Sequence, residues 1–542
     1  MIVSYTAWPD SFSALYRSKG YWIDRPLTDL IDNAPQDNIA VFCGERSLTY
    51  RDLCSQSNSL AVYLQGVGLR SGDTALVQLP NIAEFYVVFF ALMRLGVVPV
   101  NALFNHNKSE LRAYAKQINP KVLIASEDHI LFSNDTFFKK LCQLSDNLQH
   151  AVLVGVSAWT DSLETIVQSP VETTFMATPS ASDKVAFFQL SGGSTGMPKL
   201  IPRTHNDYYF SVRRSAEICE LSAESIYLCS LPCAHNFPMS SPGAFGIFHA
   251  GGSVVMGLNP DPTTSFDLIE RHKVTIAALV PPALALWLQV APSSEKDLSS
   301  LSLMQVGGAK LSESLARQVP KKLSCQLQQV LGMAEGLVNY TRLDDDIQTI
   351  MTTQGRPMCS LDEVKVINEL GEEVGPDEEG ELITRGPYTI RGYYNAPEHN
   401  DKVFDNEGFY HSGDLVRRNA QGYLAVVGRD KDQINRGGEK IAAEEVENLL
   451  LKHELVIHCA LVAMPDDVMG EKSCAFIVPK VASHGLKSIS LRKYLRSQGI
   501  ADYKVPDRFE FIDMLPLTPV GKPNKVALRD IIRNLLTQTK KI

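Results

Sequence analysis

The chain has 542 residues, with 52 Lys and Arg against 61 Asp and Glu and a formal net charge of −9. A hydrophobic fraction of 44% and a charged fraction of 21% are typical of a chain that buries large cores, which excludes an intrinsically disordered protein. The acidic balance argues against a general nucleic-acid-binding protein, because contacts with phosphates require a basic face.

No stretch of the sequence predicts a membrane span or a secretion signal. The most apolar run, Phe85–Met93, covers nine residues, whereas a spanning helix needs about 20. Residues Met1–Phe12 lack the basic start of a signal peptide. The ten cysteines are scattered without a CxxC pair, which fits neither zinc ligands nor a disulfide framework. We therefore expect a protein of the reducing cytoplasm that contacts neither a membrane nor nucleic acid.

The first four hundred residues predict alternating strands and helices. Short apolar runs predict strands, and the segment Arg51–Gly66 carries its apolar residues along one side of a helix. Such alternation is typical of a largely parallel α/β sheet, which binds ligands beyond its strand ends. The predicted strands are Thr74–Leu79, Lys121–Ala125, Val152–Val156 and Lys184–Leu190.

After about Leu361 the pattern changes, because strand-like segments alternate with Gly, Asp and Asn turns. The predicted strands of this β-rich unit are Glu363–Asn368, Gly380–Arg385 and Gly422–Gly428. Four consecutive charged residues, Arg429–Asp432, then mark a domain boundary, and a helix is predicted from Ala443. The expected fold class is α/β. A large N-terminal domain, residues 1–430, would hold α/β sheet subdomains and the small β-rich unit, and residues 431–542 would form a small mobile α+β domain.

The most informative segment is the glycine-rich loop Ser191–Lys199, which follows a predicted strand. Consecutive glycines let backbone N–H groups turn towards one point, and the loop adds hydroxyl groups and a lysine, which together suit a polyphosphate. The loop is not a Walker P-loop, because only three residues separate Gly192 from Gly196. Pro198 and Pro202 also prevent a helix from starting directly after it.

The segment Leu190–Leu200 resembles the phosphate loop of the adenylate-forming enzymes, the superfamily of acyl-CoA synthetases, peptide-synthetase adenylation domains and luciferase-like proteins. Further motifs that resemble this superfamily follow in order at Gly332–Gly336, His411–Asp414, Gly428–Asp432 and Pro519–Lys522. Within the superfamily the sequence is most similar to the stand-alone aryl-acid ligases, and among these to the 2,3-dihydroxybenzoate–AMP ligases.

This resemblance implies a two-step reaction that uses ATP and Mg²⁺. A carboxylate first attacks the α-phosphate of ATP, which gives an acyl-adenylate and pyrophosphate, and a thiol then attacks the acyl carbon and releases AMP. Because the first step brings two anions together, catalysis would depend mainly on positioning and charge neutralisation.

The resemblance also implies the ATP-binding residues. Glu335 would serve the Mg²⁺ bound to the phosphates, and Asp414 would bind the ribose hydroxyls together with Arg429. Ala334 departs from the superfamily, which usually has Thr there, so a hydroxyl that could reach the α-phosphate is missing. The full set is Ser191, Gly192, Gly193, Ser194, Thr195, Gly196, Lys199, Gly308, Val330, Gly332, Ala334, Glu335, Asp414 and Arg429.

The C-terminal domain would take part in both steps. By resemblance, Lys522 bridges the attacking carboxylate and the α-phosphate, which suits a compact ammonium on a long stem. Lys431 stands at the hinge about which this domain would rotate between the steps. Gly437, Gly438 and Lys440 would then line the path of the incoming thiol.

The choice of acid is expected to depend on the segment Pro232–Pro242. Its Asn236 and Ser241 would be left without hydrogen bonds beside a fatty acid, whereas a hydroxylated ring satisfies both. By resemblance, Asn236 meets the carboxylate and 2-hydroxyl edge, Ser241 meets the ring hydroxyls, and Val330 and Val338 enclose the ring. The remaining residues expected around the acid are Phe237, Gly307 and Ala309, with His235 as a catalytic residue that moves with the domain.

The expected activity is therefore the adenylation of an aryl acid, 2,3-dihydroxybenzoate first. The acyl group would pass to the phosphopantetheine thiol of an aryl carrier protein, acting in trans, in siderophore biosynthesis. Two alternatives stay open on the sequence: an aryl-CoA ligase that uses free CoA, and a salicylate–AMP ligase. A third, from another class, is a non-catalytic ATP-binding sensor on the same fold, against which the presence of Lys522, Glu335 and Asp414 argues.

Overall fold

The computed structural model of the protein describes residues 3–168, 177–191, 199–429, 433–480, 486–516 and 523–539. Its strands form four sheets of seven, nine, four and five strands. The helices before residue 431 are Asp10–Ser18, Asp29–Asp32, Tyr50–Gly66, Glu84–Leu95, Lys108–Ile118, Thr136–Cys142, Leu163–Gln168, His205–Ile218, Asn236–Ser240, Gly243–Ala250, Pro262–His272, Pro281–Val290, Glu313–Ala316, Val319–Lys322, Ile347–Thr352 and Pro397–Val403, with a 3₁₀ turn at Ala291–Ser293.

The seven-stranded sheet is parallel except at one edge, where the last two strands form an antiparallel hairpin. Its strands, in spatial order, are Asp161–Ser162, His150–Val154, Val122–Ser126, Thr74–Gln78, Val98–Ala102, Val185–Leu190 and Leu200–Thr204. The predicted strands of this region and the helix Tyr50–Gly66 are confirmed, with ends shifted by no more than two residues. The helix begins at a capping box in which the Thr49 hydroxyl accepts from the N–H of Asp52.

The nine-stranded sheet has a parallel centre and antiparallel edges. Its strands, in spatial order, are Arg356–Pro357, Val338–Tyr340, Gln326–Gly332, Leu303–Gly307, Ile276–Leu279, Ile226–Cys229, Ser253–Met256, Ile39–Cys43 and Arg46–Thr49. Because parallel strands carry their loops at the same sheet edge, this sheet brings several chain segments to one place.

The apolar run noted in the sequence forms the helix Glu84–Leu95, in which every residue is buried. A helix that is apolar all round needs cover on every side. Phe89 contacts Phe187 from the seven-stranded sheet and Phe245 from a helix of the nine-stranded region. This helix therefore belongs to the main core that the two sheets share. Among the described residues, no helix is both long and apolar enough to cross a membrane.

The last two sheets follow in the order that the sequence predicted. The four-stranded sheet is antiparallel and consists of Glu363–Ile367, Glu379–Arg385, Tyr410–Arg418 and Leu424–Arg429. The C-terminal sheet consists of Glu439–Ala442, Gln433–Arg436, Gly470–Pro479 and Val456–Asp466, with Arg508–Phe511 paired to Gly470–Pro479. Its helices are Ala443–Leu450, Ser488–Ser497 and Lys525–Thr539, with a 3₁₀ turn at Asp502–Lys504.

These sheets confirm the predicted fold class, an α/β N-terminal part with a small β-rich unit and an α+β C-terminal part. The chain leaves the four-stranded sheet at Arg429 and enters the C-terminal sheet at Gln433. The predicted domain boundary at residues 430/431 falls between them, outside the described residues, and stays a prediction. All ten cysteines are free thiols.

A buried lysine joins the C-terminal part to the rest of the chain. Lys504 is 4% exposed, and its Nζ lies 3.0 Å from Glu110 Oε1 and 2.9 Å from Glu445 Oε1. Burial opposes its charge, but the two carboxylates outweigh this effect and raise the pKa of Lys504 above its ordinary value. Because Glu110 belongs to the helix Lys108–Ile118 and Glu445 to Ala443–Leu450, one ammonium binds both parts.

Replacing this lysine tests the interface. Lys504→Met leaves two buried carboxylates without their cation, and breaking a buried ion pair costs about 3–5 kcal/mol. We expect the C-terminal part to separate, with a larger radius of gyration in small-angle X-ray scattering. The matched control is Arg496→Met, which removes an ion pair with Asp502 whose side chains are 59% and 80% exposed, and which should change stability by less than about 1 kcal/mol. An unchanged radius of gyration in Lys504→Met would contradict the role of this ion pair.

Candidate active site

A cavity of about 260 Å³ lies where all four sheets meet. Its wall is formed by residues 189–191, 234–237, 308–310, 330–335, 410–414 and 438–440, among others. These segments come from loops and strand ends of the two large sheets, the four-stranded sheet and the C-terminal sheet. The fold thus gathers at one place most of the described residues that the sequence analysis named.

The two ends of the glycine-rich loop are held together at the cavity wall. The N–H of Ser191 donates to the carbonyl of Lys199 at 3.0 Å, and the N–H of Lys199 donates to Ser191 Oγ at 3.3 Å. The loop joins two antiparallel strands, with Leu190 opposite Leu200. The prediction that this is not the strand-to-helix turn of a Walker P-loop is confirmed, and the antiparallel pairing of its flanking strands is a finding of the structure. Gly192, Gly193, Ser194, Thr195 and Gly196 lie outside the described residues.

The acidic turn at residues 333–336 is fixed by partners that are distant in sequence. Tyr393 donates its hydroxyl to Glu335 Oε1 at 2.6 Å, and the Arg203 guanidinium donates to the carbonyl of Ala334 at 2.7 Å. Gly336 has φ +157°, and a Cβ on it would lie 2.4 Å from the Cα of Thr389, so only glycine fits there. The turn places Gly332, Ala334 and Glu335 on the cavity wall.

The Glu335 carboxylate is suited to be a ligand of a magnesium ion. Mg²⁺ prefers oxygen ligands and is usually bound by one or two carboxylates together with phosphate oxygens. Glu335 is 8% exposed, lines the cavity and is oriented by the Tyr393 hydroxyl. Its donor chemistry therefore matches a metal ion that would reach it together with a polyphosphate.

Asp414 also lines the cavity and belongs to the strand Tyr410–Arg418 of the four-stranded sheet. It is 7% exposed, and its N–H donates to Ser412 Oγ at 3.1 Å. Asp414 and Arg429 are direct partners across two antiparallel strands. Both residues were expected to bind the ribose hydroxyls, and the register of the two strands brings their backbones together.

The segment from His235 to Ser241 forms a short helix, Asn236–Ser240, at the inner end of the cavity. His235 caps this helix, because its Nδ1 accepts from the N–H of Phe237 at 3.3 Å. Asn236 and Ser241 are 7% and 2% exposed and line the cavity. Both therefore present buried polar groups to whatever fills this end.

The apolar part of this pocket differs from the expectation at two residues, Gly307 and Val338, which do not line it. Val330, Phe237, Gly308 and Ala309 line the cavity. Gly307 stands just behind them, where a Cβ would lie 3.1 Å from Phe237 Cζ, so glycine lets this ring pack against the strand. Val338 is 1% exposed and packs behind Gly332 rather than forming the wall.

The C-terminal sheet closes the cavity on one side. Lys440 donates its ammonium to the carbonyl of Gly308 at 3.3 Å, and Asn435 donates its amide to the same oxygen at 2.9 Å. Gly438 lines the cavity, whereas Gly437 does not and lies under Met469. Burial, and to a smaller extent the positive charge of Lys440, lower the pKa of His235 to about 4. The imidazole is therefore neutral at physiological pH.

Two predicted residues of the C-terminal part, Lys431 and Lys522, lie outside the described residues. Of Arg429, the structure describes the backbone but not the side chain. The described neighbours of Lys522, Pro516 and Pro523, do not line the cavity. The described face of the C-terminal part that borders the cavity is instead the hairpin of residues 433–442 and the 3₁₀ turn at residues 502–504.

Sequence reasoning missed several residues that shape the cavity. Tyr393, Tyr410, Gln189, Glu439 and Lys504 all line it. Tyr393 and Tyr410 lie 3.0 Å apart at their hydroxyls and support the acidic turn. Tyr410 directly precedes the motif His411–Asp414, whereas Tyr393 stands beside no motif that the sequence analysis named, and both reach the cavity through the packing of separate segments.

Comparison with known proteins agrees with this architecture. The family described as AMP-binding enzyme matches residues 29–394, and the AMP-binding enzyme C-terminal domain matches residues 445–522. The enterobactin synthase component E of Escherichia coli is 54% identical over 98% of each chain. The 2,3-dihydroxybenzoate-AMP ligase of Bacillus subtilis is 47% identical over 99% of each chain. The vibriobactin-specific 2,3-dihydroxybenzoate-AMP ligase of Vibrio cholerae is 47% identical over 98% of each chain.

Solved structures share the whole fold. The apo structure of MbtA from Mycobacterium smegmatis is 40% identical, with a TM-score of 0.75 over 97% of this chain and 98% of that one. The amide bond synthetase McbA of Marinactinospora thermotolerans has a TM-score of 0.83 at 23% identity, over 93% of this chain and 99% of that one, a likeness of fold alone. Since the first family match spans more than half of the chain and the relatives span nearly all of it, the chain belongs to the AMP-binding enzyme family.

Proposed function

We propose that this protein is an aryl-acid ligase that joins the carboxylate of 2,3-dihydroxybenzoate to the AMP of ATP. It then passes the acyl group to the phosphopantetheine thiol of an aryl carrier protein, acting in trans, in the cytoplasmic synthesis of a siderophore. One observation carries this proposal: a single cavity holds the ends of the glycine-rich loop, Glu335, Asp414 and the polar pocket of Asn236 and Ser241. The names of the full-length relatives support it.

Each part of the cavity has a role in the first step. Ser191, Lys199 and the glycine-rich loop bind the phosphates, and Asp414 with Arg429 binds the ribose. Glu335 would hold Mg²⁺, which would neutralise phosphate charge when bound. Gly308, Val330, Gly332 and Ala334 face the nucleotide. The acid lies among Asn236, Phe237, Ser241 and Ala309, with Gly307 supporting Phe237 from behind and the carboxylate towards the α-phosphate.

The pocket for the acid favours an anion with hydroxyl groups. Its inner end carries neutral hydrogen-bonding groups, namely the Asn236 amide, the Ser241 hydroxyl and the neutral His235 ring. An alkyl chain could not fill the hydrogen-bonding positions of these groups that face the cavity, which costs about 1–3 kcal/mol for each. A dihydroxybenzoate supplies a partner for each of them.

The second step would use the C-terminal part in the orientation seen here. Gly438 and Lys440 line the cavity beside Gly308, where we place the incoming thiol, with Gly437 turning the chain next to them. Residues 431–542 would turn about Lys431 so that Lys522 enters for adenylation and leaves before the thiol arrives.

Acid-dependent exchange of pyrophosphate into ATP tests the proposal directly. We expect strong exchange with 2,3-dihydroxybenzoate, weaker exchange with salicylate, and little with benzoate, a medium-chain fatty acid or amino acids. Glu335→Gln should lower exchange with every acid by at least about 100-fold, the size of a lost charge-stabilising contact in a transition state. Exchange with fatty acids or amino acids by the wild type would refute the pocket assignment, and no exchange with any acid would favour the sensor on the same fold.

A serine-to-alanine substitution tests which ring hydroxyl the pocket recognises. Ser241→Ala should reduce the preference for 2,3-dihydroxybenzoate over salicylate by about fivefold in the ratio of kcat/KM values, because a hydrogen bond to the 3-hydroxyl is lost. The matched control is Ser265→Ala, since the buried Ser265 hydroxyl has no hydrogen-bond partner among the described residues. Equal ratios in wild type and Ser241→Ala would remove Ser241 from the recognition of the ring.

A lysine-to-alanine substitution separates the two half-reactions. Lys522→Ala should lower adenylation by several orders of magnitude, because the charge between two anions is lost, while transfer from preformed aryl-adenylate to the thiol survives. Lys525→Ala is the control. The Lys525 Nζ lies 2.9 Å from Glu447 Oε1, and neither residue lines the cavity. Parallel loss of both half-reactions in Lys522→Ala would exclude a role confined to the first step.

A further inference from the structure

A buried tyrosine connects two side chains of the cavity wall. Gln189 Nε2 donates to the Tyr208 hydroxyl at 3.2 Å, and that hydroxyl donates to Asn236 Oδ1 at 3.0 Å. Tyr208 is fully buried and is not part of the wall, whereas Gln189 and Asn236 both line the cavity. These three side chains form a hydrogen-bonded relay from the seven-stranded sheet to the helix Asn236–Ser240.

The direction of this relay is set by a methionine. Met239 Sδ lies 3.3 Å from Gln189 Nε2, and a thioether sulfur can accept a hydrogen bond but cannot donate one. The amide nitrogen of Gln189, rather than its oxygen, must therefore face this end. Its second N–H then goes to the Tyr208 hydroxyl, and the only O–H of Tyr208 is left to donate to Asn236.

The Asn236 amide is consequently held in one of its two orientations. Its Oδ1 accepts from Tyr208 at 3.0 Å and, more weakly, from Ser240 Oγ at 3.4 Å. Burial raises the pKa of Tyr208 to about 12, so its hydroxyl remains a donor at physiological pH. With Oδ1 occupied inside the protein, the amide offers its Nδ2 hydrogens to the cavity.

We propose that Tyr208 is a positioning residue that makes Asn236 a hydrogen-bond donor to the acid, through the chain Gln189–Tyr208–Asn236. The site then selects an acid that presents an acceptor at this point, a carboxylate or ring hydroxyl oxygen, over one that presents an ammonium group. This inference rests on the proposed function, because it assigns a role within the same acid pocket.

The test compares Tyr208→Phe and Asn236→Leu, singly and combined, in ATP–pyrophosphate exchange with 2,3-dihydroxybenzoate. Tyr208→Phe should lower kcat/KM for the acid by about tenfold, with KM for ATP unchanged. In the Asn236→Leu background, Tyr208→Phe should cause no further loss, because the two residues act through one contact. The control is Tyr50→Phe, which removes a buried hydroxyl that donates to the carbonyl of Gly252 at 2.7 Å and which should leave both parameters unchanged.

A second variant tests the relay without altering the tyrosine. Met239→Leu keeps the side-chain volume but removes the sulfur that orients Gln189, and it should lower kcat/KM for the acid by about two- to threefold. The inference would be overturned if the losses of the two single variants multiply in the Tyr208→Phe/Asn236→Leu double variant. It would also be overturned if Tyr208→Phe raised KM for ATP as much as KM for the acid. Neither result would change the assignment of the wild type as an aryl-acid ligase. A wild type that exchanges with no hydroxybenzoate would overturn the proposed function as well as this inference.

Discussion

One buried guanidinium ties together the parts of the chain that make the site. Arg203, 1% exposed, pairs with Asp207 at 2.7 Å and donates to the carbonyls of Ala334 at 2.7 Å and Tyr388 at 3.2 Å. A buried charge is tolerated only when it is paired and its hydrogen bonds are filled. The planar guanidinium directs its N–H groups to all three partners from separate nitrogens, whereas the three donors of a lysine all lie on one nitrogen. Arg203 thus fixes the strand Leu200–Thr204, which follows the glycine-rich loop, relative to the acidic turn.

The same turn receives support from a second direction. Tyr393 and Tyr410 follow on later segments, and the Tyr393 hydroxyl orients the Glu335 carboxylate. A metal ligand is effective when it is held in place before the ion arrives. Arg203 and Tyr393 therefore act together to fix the backbone and the side chain of one turn of the cavity wall.

The C-terminal part completes the cavity by charge and hydrogen bonding rather than by a shared apolar core. Its cores are separate clusters, centred on Ile434 and Leu461 in one case and on Phe476 and Ile532 in the other. Its attachment instead uses Lys504 between two carboxylates, and Asn435 and Lys440 on the carbonyl of Gly308. Polar contacts of this kind can be exchanged for water more readily than a buried apolar surface. Such an interface is compatible with the rotation that we propose for the C-terminal part.

Much of the fold and part of the site followed from sequence alone, because the determining features are local. Strands and helices were predicted from the periodicity of apolar residues, and the spacing and prolines of the glycine-rich loop excluded a Walker P-loop. Short motifs also identified Glu335, Asp414, Asn236 and Ser241, which all reach one cavity. A contiguous motif encodes its own backbone turn, so its residues can be named before the fold is known.

Only the tertiary structure decided which distant residues support those motifs. Tyr208, Tyr393 and Lys504 have no signature of their own, since each acts through a partner that packing brings near, in the case of Lys504 from 394 positions away. Packing also put Val338 behind Gly332 rather than on the wall. The sequence by itself determined the chemistry available to this protein. The tertiary structure decided how that chemistry is oriented, because the direction of a hydrogen bond depends on neighbours that no local pattern specifies.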